Sequence, residues 1–451
     1  MVETDKKPEL KRRISLFGIT MYGVGNVLGA GIYALIGEVV GITGNISWLA
    51  FVLASITGAF TGLSYAELSA MYPKSAAEFV YTEEAFKIRK LSFILGWIII
   101  FSGVLSAATV ALGFAGYVAE FLGIDLLIMK IIIGISLILI LSVVNFIGIK
   151  TSTGINIVFT LIEASGLIFI IIIGIPHFGS VDYTLLPSTS SIGAIFSSVA
   201  LIFFAYIGFE DIANIAEEVK KPHKNLPRAI IYSIIITTIL YCLTAISVVS
   251  IAPYADIAGS DAPLNYVATV ALGPIGGLIM TSIAIFATAN TVLIMLIVTS
   301  RMIYGMARDK ALPEGLSKIS PKRRTPTLAV LVTMILTIVP IFFGDISIIA
   351  HATVFGVLIN FFLVNLSLIV LRKNKPDLER PFRLKPNISW MPIIALLGCI
   401  VCFGLLFTFD WLIIIIQLII VLCGIIVFYG MKAKIETKTS RFKELETEKK
   451  S

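Results

Sequence analysis

Gly25-Asn26-Val27-Leu28-Gly29-Ala30-Gly31-Ile32 lies in the middle of the first apolar run, and its reading decides the fold. In a water-soluble protein a glycine-rich run after hydrophobic residues suggests a phosphate cradle, but here apolar residues continue on both sides for the depth of a bilayer. Gly29 and Gly31 flank a small alanine, so a helix can unwind there and leave backbone N–H and C=O groups free at mid-membrane. Irregular backbone survives in lipid only where it is buried in protein or lines a cavity. A second stretch of this kind, Phe203-Phe204-Ala205-Tyr206-Ile207-Gly208-Phe209-Glu210, stands in the other half of the chain. Paired interruptions point to a substrate site of the transporter type. Close helix packing at small residues is the competing reading of either stretch alone, and the pairing weighs against it.

The chain has 451 residues, 57% of them hydrophobic and 14% charged, with a mean hydropathy of +0.98. Soluble domains carry roughly a quarter charged residues, so this is an all-α polytopic membrane protein. A span needs about 20 apolar residues, and the pattern predicts twelve transmembrane helices. All 35 Lys and Arg residues except Lys130 and Arg301 fall on alternate loops and the two tails. Both termini of a multi-pass cell-membrane protein are therefore expected in the cytoplasm. The formal charge of +7 follows from that asymmetry and fits contact with anionic membrane lipid; no nucleic acid partner is implied. Cys242, Cys399, Cys402 and Cys423 all lie inside spans with no other soft ligand nearby in sequence, so neither a metal nor a cofactor is expected.

Glu163, in Thr160-Leu161-Ile162-Glu163-Ala164-Ser165-Gly166 of the fifth span, is the most informative single residue. A charged carboxylate this deep costs about 2.5 to 3.5 kcal/mol on insertion scales, so it is expected to face the interior, neutral or paired with a cation. Its functional reading is a proton or cation site; its structural reading is a protonated carboxyl bonded to a neighbouring helix. Glu210 borders the second interruption, where it either meets a substrate ammonium or braces the unwound turn. Thr288, Asn290, Thr291 and Thr299 offer polar groups in the eighth span that reach a cation or bond the fifth span. Glu67 lies near the inner surface, within reach of water or a basic partner. Phe79, Val80, Tyr81, Ala85 and Phe86 are spaced for an amphipathic helix on the membrane surface. His351 sits towards the outer end of the tenth span and reads as a packing residue.

Each half begins with a glycine-interrupted helix, and five spans per unit place the two units in opposite orientation, an inverted repeat. The expected organisation is a cytoplasmic tail at 1–16, a first repeat at 17–176, a second at 193–371, two peripheral spans at 391–430 and a tail at 431–451.

With these pieces in order, the sequence resembles the amino acid-polyamine-organocation family of transporters over nearly its whole length. The likeness rests on Gly29-Ala30-Gly31-Ile32, Tyr65-Ala66-Glu67-Leu68 with Pro73, and Phe204-Ala205-Tyr206-Ile207-Gly208-Phe209-Glu210. It continues through Ala216-Glu217-Glu218-Val219-Lys220-Lys221-Pro222, Met306-Ala307-Arg308-Asp309 with Leu312-Pro313, and Arg380-Pro381-Phe382. The resemblance implies a five-plus-five inverted repeat with an amino acid bound between spans 1, 3, 6, 8 and 10. It implies that the backbone N–H groups at Gly29, Ala30 and Gly31 hold the substrate carboxylate. The carbonyls of Phe204, Ala205 and Ile207 would hold the amine, and Phe204 would be the gating aromatic. Several proton-coupled relatives carry a lysine where this chain has Glu163, so that mechanism does not transfer unchanged. The expectation is a secondary active transporter of amino acids, proton-coupled through Glu163. An exchanger of cationic amino acids or polyamines, with Glu210 reading substrate charge, is the alternative. A channel or a membrane enzyme is disfavoured, because one chain shows no symmetric ring and the short loops lack a nucleophile-His-carboxylate set.

Overall fold

Apolar backbone with no water to bond must satisfy its own polar groups, and this chain does so with helices. A computed structural model describes residues 10–123, 126–185, 192–260, 262–342 and 346–448. The first half runs α1 (Leu16–Thr43), α2 (Ser47–Met71), α3 (Ala77–Phe86), α4 (Arg89–Leu122), α5 (Leu127–Ile147) and α6 (Ile149–Gly174). The second runs α7 (Ile192–Phe203), α8 (Asp211–Asn214), α9 (Pro222–Ile251), α10 (Tyr254–Ala258), α11 (Pro263–Leu272), α12 (Pro274–Arg308), α13 (Thr327–Ile341) and α14 (Ile346–Asn374). A two-residue hairpin, Asn387–Ile388 against Met391–Pro392, leads to α15 (Ile393–Leu406) and α16 (Trp411–Glu448). At the centre α1 is enclosed by α6, α9 and α12, while α2 packs along α9 and α4 along α12.

Among the described residues, 9 helical stretches are long and apolar enough to cross a membrane. The difference from the expected twelve has a local cause. Helices α13 and α15 have only 15 and 14 residues, short of the roughly 20 that a hydrocarbon core asks for. The expected sixth span is divided into α7, a 3₁₀ turn at Phe204–Tyr206 and the single-turn α8. Helices α10 and α11 stand in what the sequence reads as a loop, although Pro263 at the first position of α11 is a helix-start signal.

The expected amphipathic helix is present as α3, but it does not lie on the membrane surface. Its residues 77–82 are buried, and it packs against α4 and α14. The reason is polar: Glu78 accepts the Tyr65 hydroxyl at 3.0 Å and the Asn214 amide at 3.3 Å. The Asn214 side-chain oxygen in turn takes the Ala77 N–H at 2.9 Å. The helix is thereby fixed to α2 and α8.

Glu67 finds the basic partner expected of it, twice over. Its carboxylate pairs with Arg372 at 2.8 and 2.6 Å and with Arg380 at 3.1 Å, and it accepts the Leu384 N–H at 2.7 Å. Glu67 and Arg372 are both buried, so α2 is tied to the end of α14 and to the loop beyond it. Breaking a buried pair from one side leaves an uncompensated charge. Glu67→Leu is therefore expected to cost about 3–5 kcal/mol of stability, read as a lowered melting temperature of the purified protein. Exposed Glu314→Gln should leave melting unchanged; equal melting of the two variants would contradict this assignment.

Candidate functional site

Within α1, Gly29 has φ 27° and ψ −161°, outside helical space and in a region that favours glycine. The turns on either side therefore act as helix ends, with carbonyls freed before the break and N–H groups after it. Those carbonyls find a donor in α9: the Tyr241 hydroxyl lies 2.6 Å from the Val27 oxygen and 3.3 Å from that of Leu28. It lies also 3.1 Å from the Ala205 carbonyl, in the 3₁₀ turn where α7 gives out. One phenol thus sits at both interruptions.

The interruptions also touch directly. A Cβ added at Gly31 would come to 3.1 Å from the Ala205 Cα, so any larger residue would press on the backbone of the other interruption. Beyond Ala205 the chain turns through Gly208, at φ 129°, before α8. Asn26 of α1 donates to the Gly208 carbonyl at 2.8 Å and to Asp211 at 2.6 Å. The Glu210 carboxylate accepts the Gly208 N–H at 2.7 Å. Of the two roles open to Glu210, its contacts here are those of a brace.

Gly29, Gly31 and Ala205 are therefore brought together, and the backbone of Ala30 and Ile207 runs alongside. The side chains of Ala30 and Phe204 lie outside the described residues, so the expected gate at the Phe204 ring does too. A cavity bordered by Tyr33, Tyr117, Asn265, Met280 and Thr281 opens beside α1.

Glu163 is buried where α6 packs against α1 and α12. Its Oε2 accepts the Asn290 amide at 3.3 Å; its Oε1 has no partner among the described residues. Asn290 also reaches Thr160 at 3.1 Å and accepts from Asn156 at 2.8 Å, while Thr160 donates to the Met21 carbonyl of α1 at 3.3 Å. Tyr33, one turn past the break, donates to the Glu163 carbonyl at 2.8 Å. No basic side chain forms an ion pair with Glu163 among the described residues. Of the polar residues singled out in the eighth span, Asn290 bonds α6, through Asn156, Thr160 and Glu163. His351 is exposed, with its ring edge-on to Phe409 at 6.4 Å.

Towards the end of the molecule that carries the N-terminal segment, Arg301 of α12 makes a fully buried pair with Glu218, at 3.1 and 3.3 Å. It also donates to Asn145 at 2.7 Å and Ser300 at 3.1 Å. The Glu218 carbonyl accepts the N–H groups of Arg13 and Ile14 at 2.7 and 2.9 Å, which straps the N-terminal segment across this pair. Arg12 and Arg13 themselves are exposed. Sequence reasoning missed Tyr241, Asn26 and the Arg301–Glu218 pair. For Arg301 a signal existed, since it was one of two basic residues off the alternating pattern.

A sequence profile of the family described as Amino acid permease matches residues 14–440. The chain is 30% identical to the branched-chain amino acid permease BcaP of Bacillus subtilis, over 88% of each chain. It is 28% identical to a methylthioribose transporter of the same organism, again over 88% of each. To the vacuolar cationic amino acid transporter 4 of Arabidopsis thaliana it is 29% identical, over 84% of this chain and 66% of that one.

Removing the shared phenol tests the interlock. Tyr241→Phe is expected to cost about 1–3 kcal/mol, because buried carbonyls lose their donor. Amide exchange at residues 30–32 should quicken. Unchanged melting and unchanged exchange would show that the phenol does not hold the two breaks.

Proposed function

The chain belongs to the amino acid permease family and is not an enzyme, and from that premise we propose that it is a secondary active transporter of amino acids, proton-coupled and working by alternating access. On this reading it crosses the cell membrane twelve times with both termini in the cytoplasm, α13 and α15 serving as short spans. Residues 17–176 and 193–371 form the inverted repeats, 391–430 the peripheral pair, and 1–16 and 431–451 the tails.

The observation that carries the reading is the contact of two interrupted helices, Gly31 against Ala205, beside a non-helical Gly29. A freed helix N-terminus favours an anion and freed carbonyls favour a cation, which suits the two ends of an amino acid. The carboxylate goes to the N–H groups at Gly29, Ala30 and Gly31. The ammonium goes to the carbonyls of Phe204, Ala205 and Ile207, where Ala205 keeps a lone pair beyond the one directed at Tyr241. Phe204 closes over the substrate. The buried Arg301–Glu218 pair, with the N-terminal strap, shuts the cytoplasmic path, and the cavity beside Tyr33 belongs to the outer one. Glu163 carries the coupling proton: it lies against α1 with one oxygen unpartnered among the described residues, and it changes charge without leaving a described basic residue unpaired.

A second reading, exchange of cationic amino acids or polyamines, is favoured by the same lone carboxylate and by the likeness to a relative named for cationic amino acids. Counterflow in proteoliposomes separates the two, using amino acids and the amines left after their decarboxylation. Loss of charge-assisted bonds to the carboxylate should weaken the amines about a hundredfold. Equal exchange of amine and parent amino acid would favour the polyamine reading.

A further inference from the structure

A separate cavity lies at the junction of α5 and α6, on the side that carries the N-terminal segment. Five basic residues from three separated segments line it: Lys11 and Arg13 before α1, Lys150 at the start of α6, and Arg323 and Arg324 between α12 and α13. No Asp or Glu lines it among the described residues. Its floor is the Gly148 turn, followed by the first turn of the 26-residue α6, which has no side-chain cap. The Gly148 carbonyl receives the N–H groups of Thr151 and Ser152, and the end of the helix presents its positive dipole to the cavity. The loop holding two of the cations is fixed in place: the Arg323 guanidinium lies 4.5 Å from the Phe146 ring centre, and Thr325 donates to the Phe146 carbonyl at 3.2 Å.

Such a concentration of positive charge calls for a phosphate-bearing anion, and the neighbouring surface indicates which kind. Ile140, Val143 and Ile147 of α5 are 62%, 60% and 47% exposed. They are spaced along one helix face and lead from the apolar middle of the helix to the cavity, where Ile147 is part of the lining. A soluble phosphate would make no use of that stripe, whereas acyl chains would lie along it. We propose that this cavity is a specific site for the phosphate of an anionic phospholipid, held by Arg323, Arg324, Lys150 and the start of α6, with its acyl chains along α5. Because Lys11 and Arg13 adjoin the strap over Glu218, the lipid would also steady the N-terminal segment in its closed position. The proposal does not depend on which substrate is carried.

Native mass spectrometry of the full-length protein in detergent tests it, with phosphatidylglycerol titrated against phosphatidylcholine. The wild type should retain phosphatidylglycerol preferentially, and Arg323→Gln with Arg324→Gln should weaken it about thirtyfold. Lys150→Gln, at an exposed position outside the ring contact, should weaken it about fivefold and covers the case in which the double variant fails to fold. Lys318→Gln with Lys322→Gln removes the same charge from the same loop outside the cavity, and should leave retention as in the wild type. Equal losses in the cavity and control variants would overturn the site in favour of diffuse surface charge. Displacement of the lipid by millimolar inorganic phosphate would overturn the lipid as its occupant.

Discussion

An interrupted helix in hydrocarbon survives only where its freed backbone groups are buried in protein or line a cavity, and the centre of this structure follows from that constraint. With Gly29 at φ 27° the α1 ladder opens, and side chains from elsewhere in the chain hold the break. Tyr241 attends the carbonyls of both breaks, Asn26 spans from α1 to Gly208 and Asp211, and Glu210 takes the Gly208 N–H. These donors and acceptors come from α1, α9 and the α7–α8 turn. The two breaks are consequently one construction, and a movement of one must be answered by the other. On the proposed reading, that coupling would serve alternating access at the binding site.

Buried acidic groups here are held either by cations or, among the described residues, by neutral donors alone, and Glu78 and Glu210 stand with Glu163 in the second kind. Glu67 with Arg372 and Arg380, and Glu218 with Arg301, are buried ion pairs between separate elements, so removing one partner leaves a buried charge uncompensated. Glu163 has an amide on one oxygen and no ion-pair partner among the described residues. Its carbonyl is tied through Tyr33 to the turn after the break. The Glu163 carboxyl and the turn after the α1 break thereby belong to one packed group.

The interruptions were legible because glycine-bearing stretches recur in the two halves, a pairing that helix packing alone does not explain, and Glu163 because an acidic residue inside an apolar run is costly. The helix in the loop after α2 was legible from its spacing, but its position was not: periodicity reports an apolar face without saying what covers it, and Glu78 turned out to bond Tyr65 and Asn214. Tyr241 gave no signal, since a tyrosine in an apolar helix reads as packing until the carbonyls it faces are known. Arg301 did give one, as a basic residue inside a span, and its partner Glu218 lay in a stretch already singled out for family likeness. The two short helices α13 and α15 show the limit of counting apolar residues, because composition does not fix where a helix starts.

The central claim is that Glu163 couples a proton to substrate movement across the paired breaks. Its most direct test is amino acid uptake into proteoliposomes under an inward proton gradient, comparing wild type with Glu163→Gln, alongside counterflow exchange. The account predicts gradient-driven accumulation by the wild type, and a variant that still exchanges substrate but no longer accumulates it. Accumulation by the variant equal to wild type, or wild-type uptake indifferent to the gradient, would contradict it.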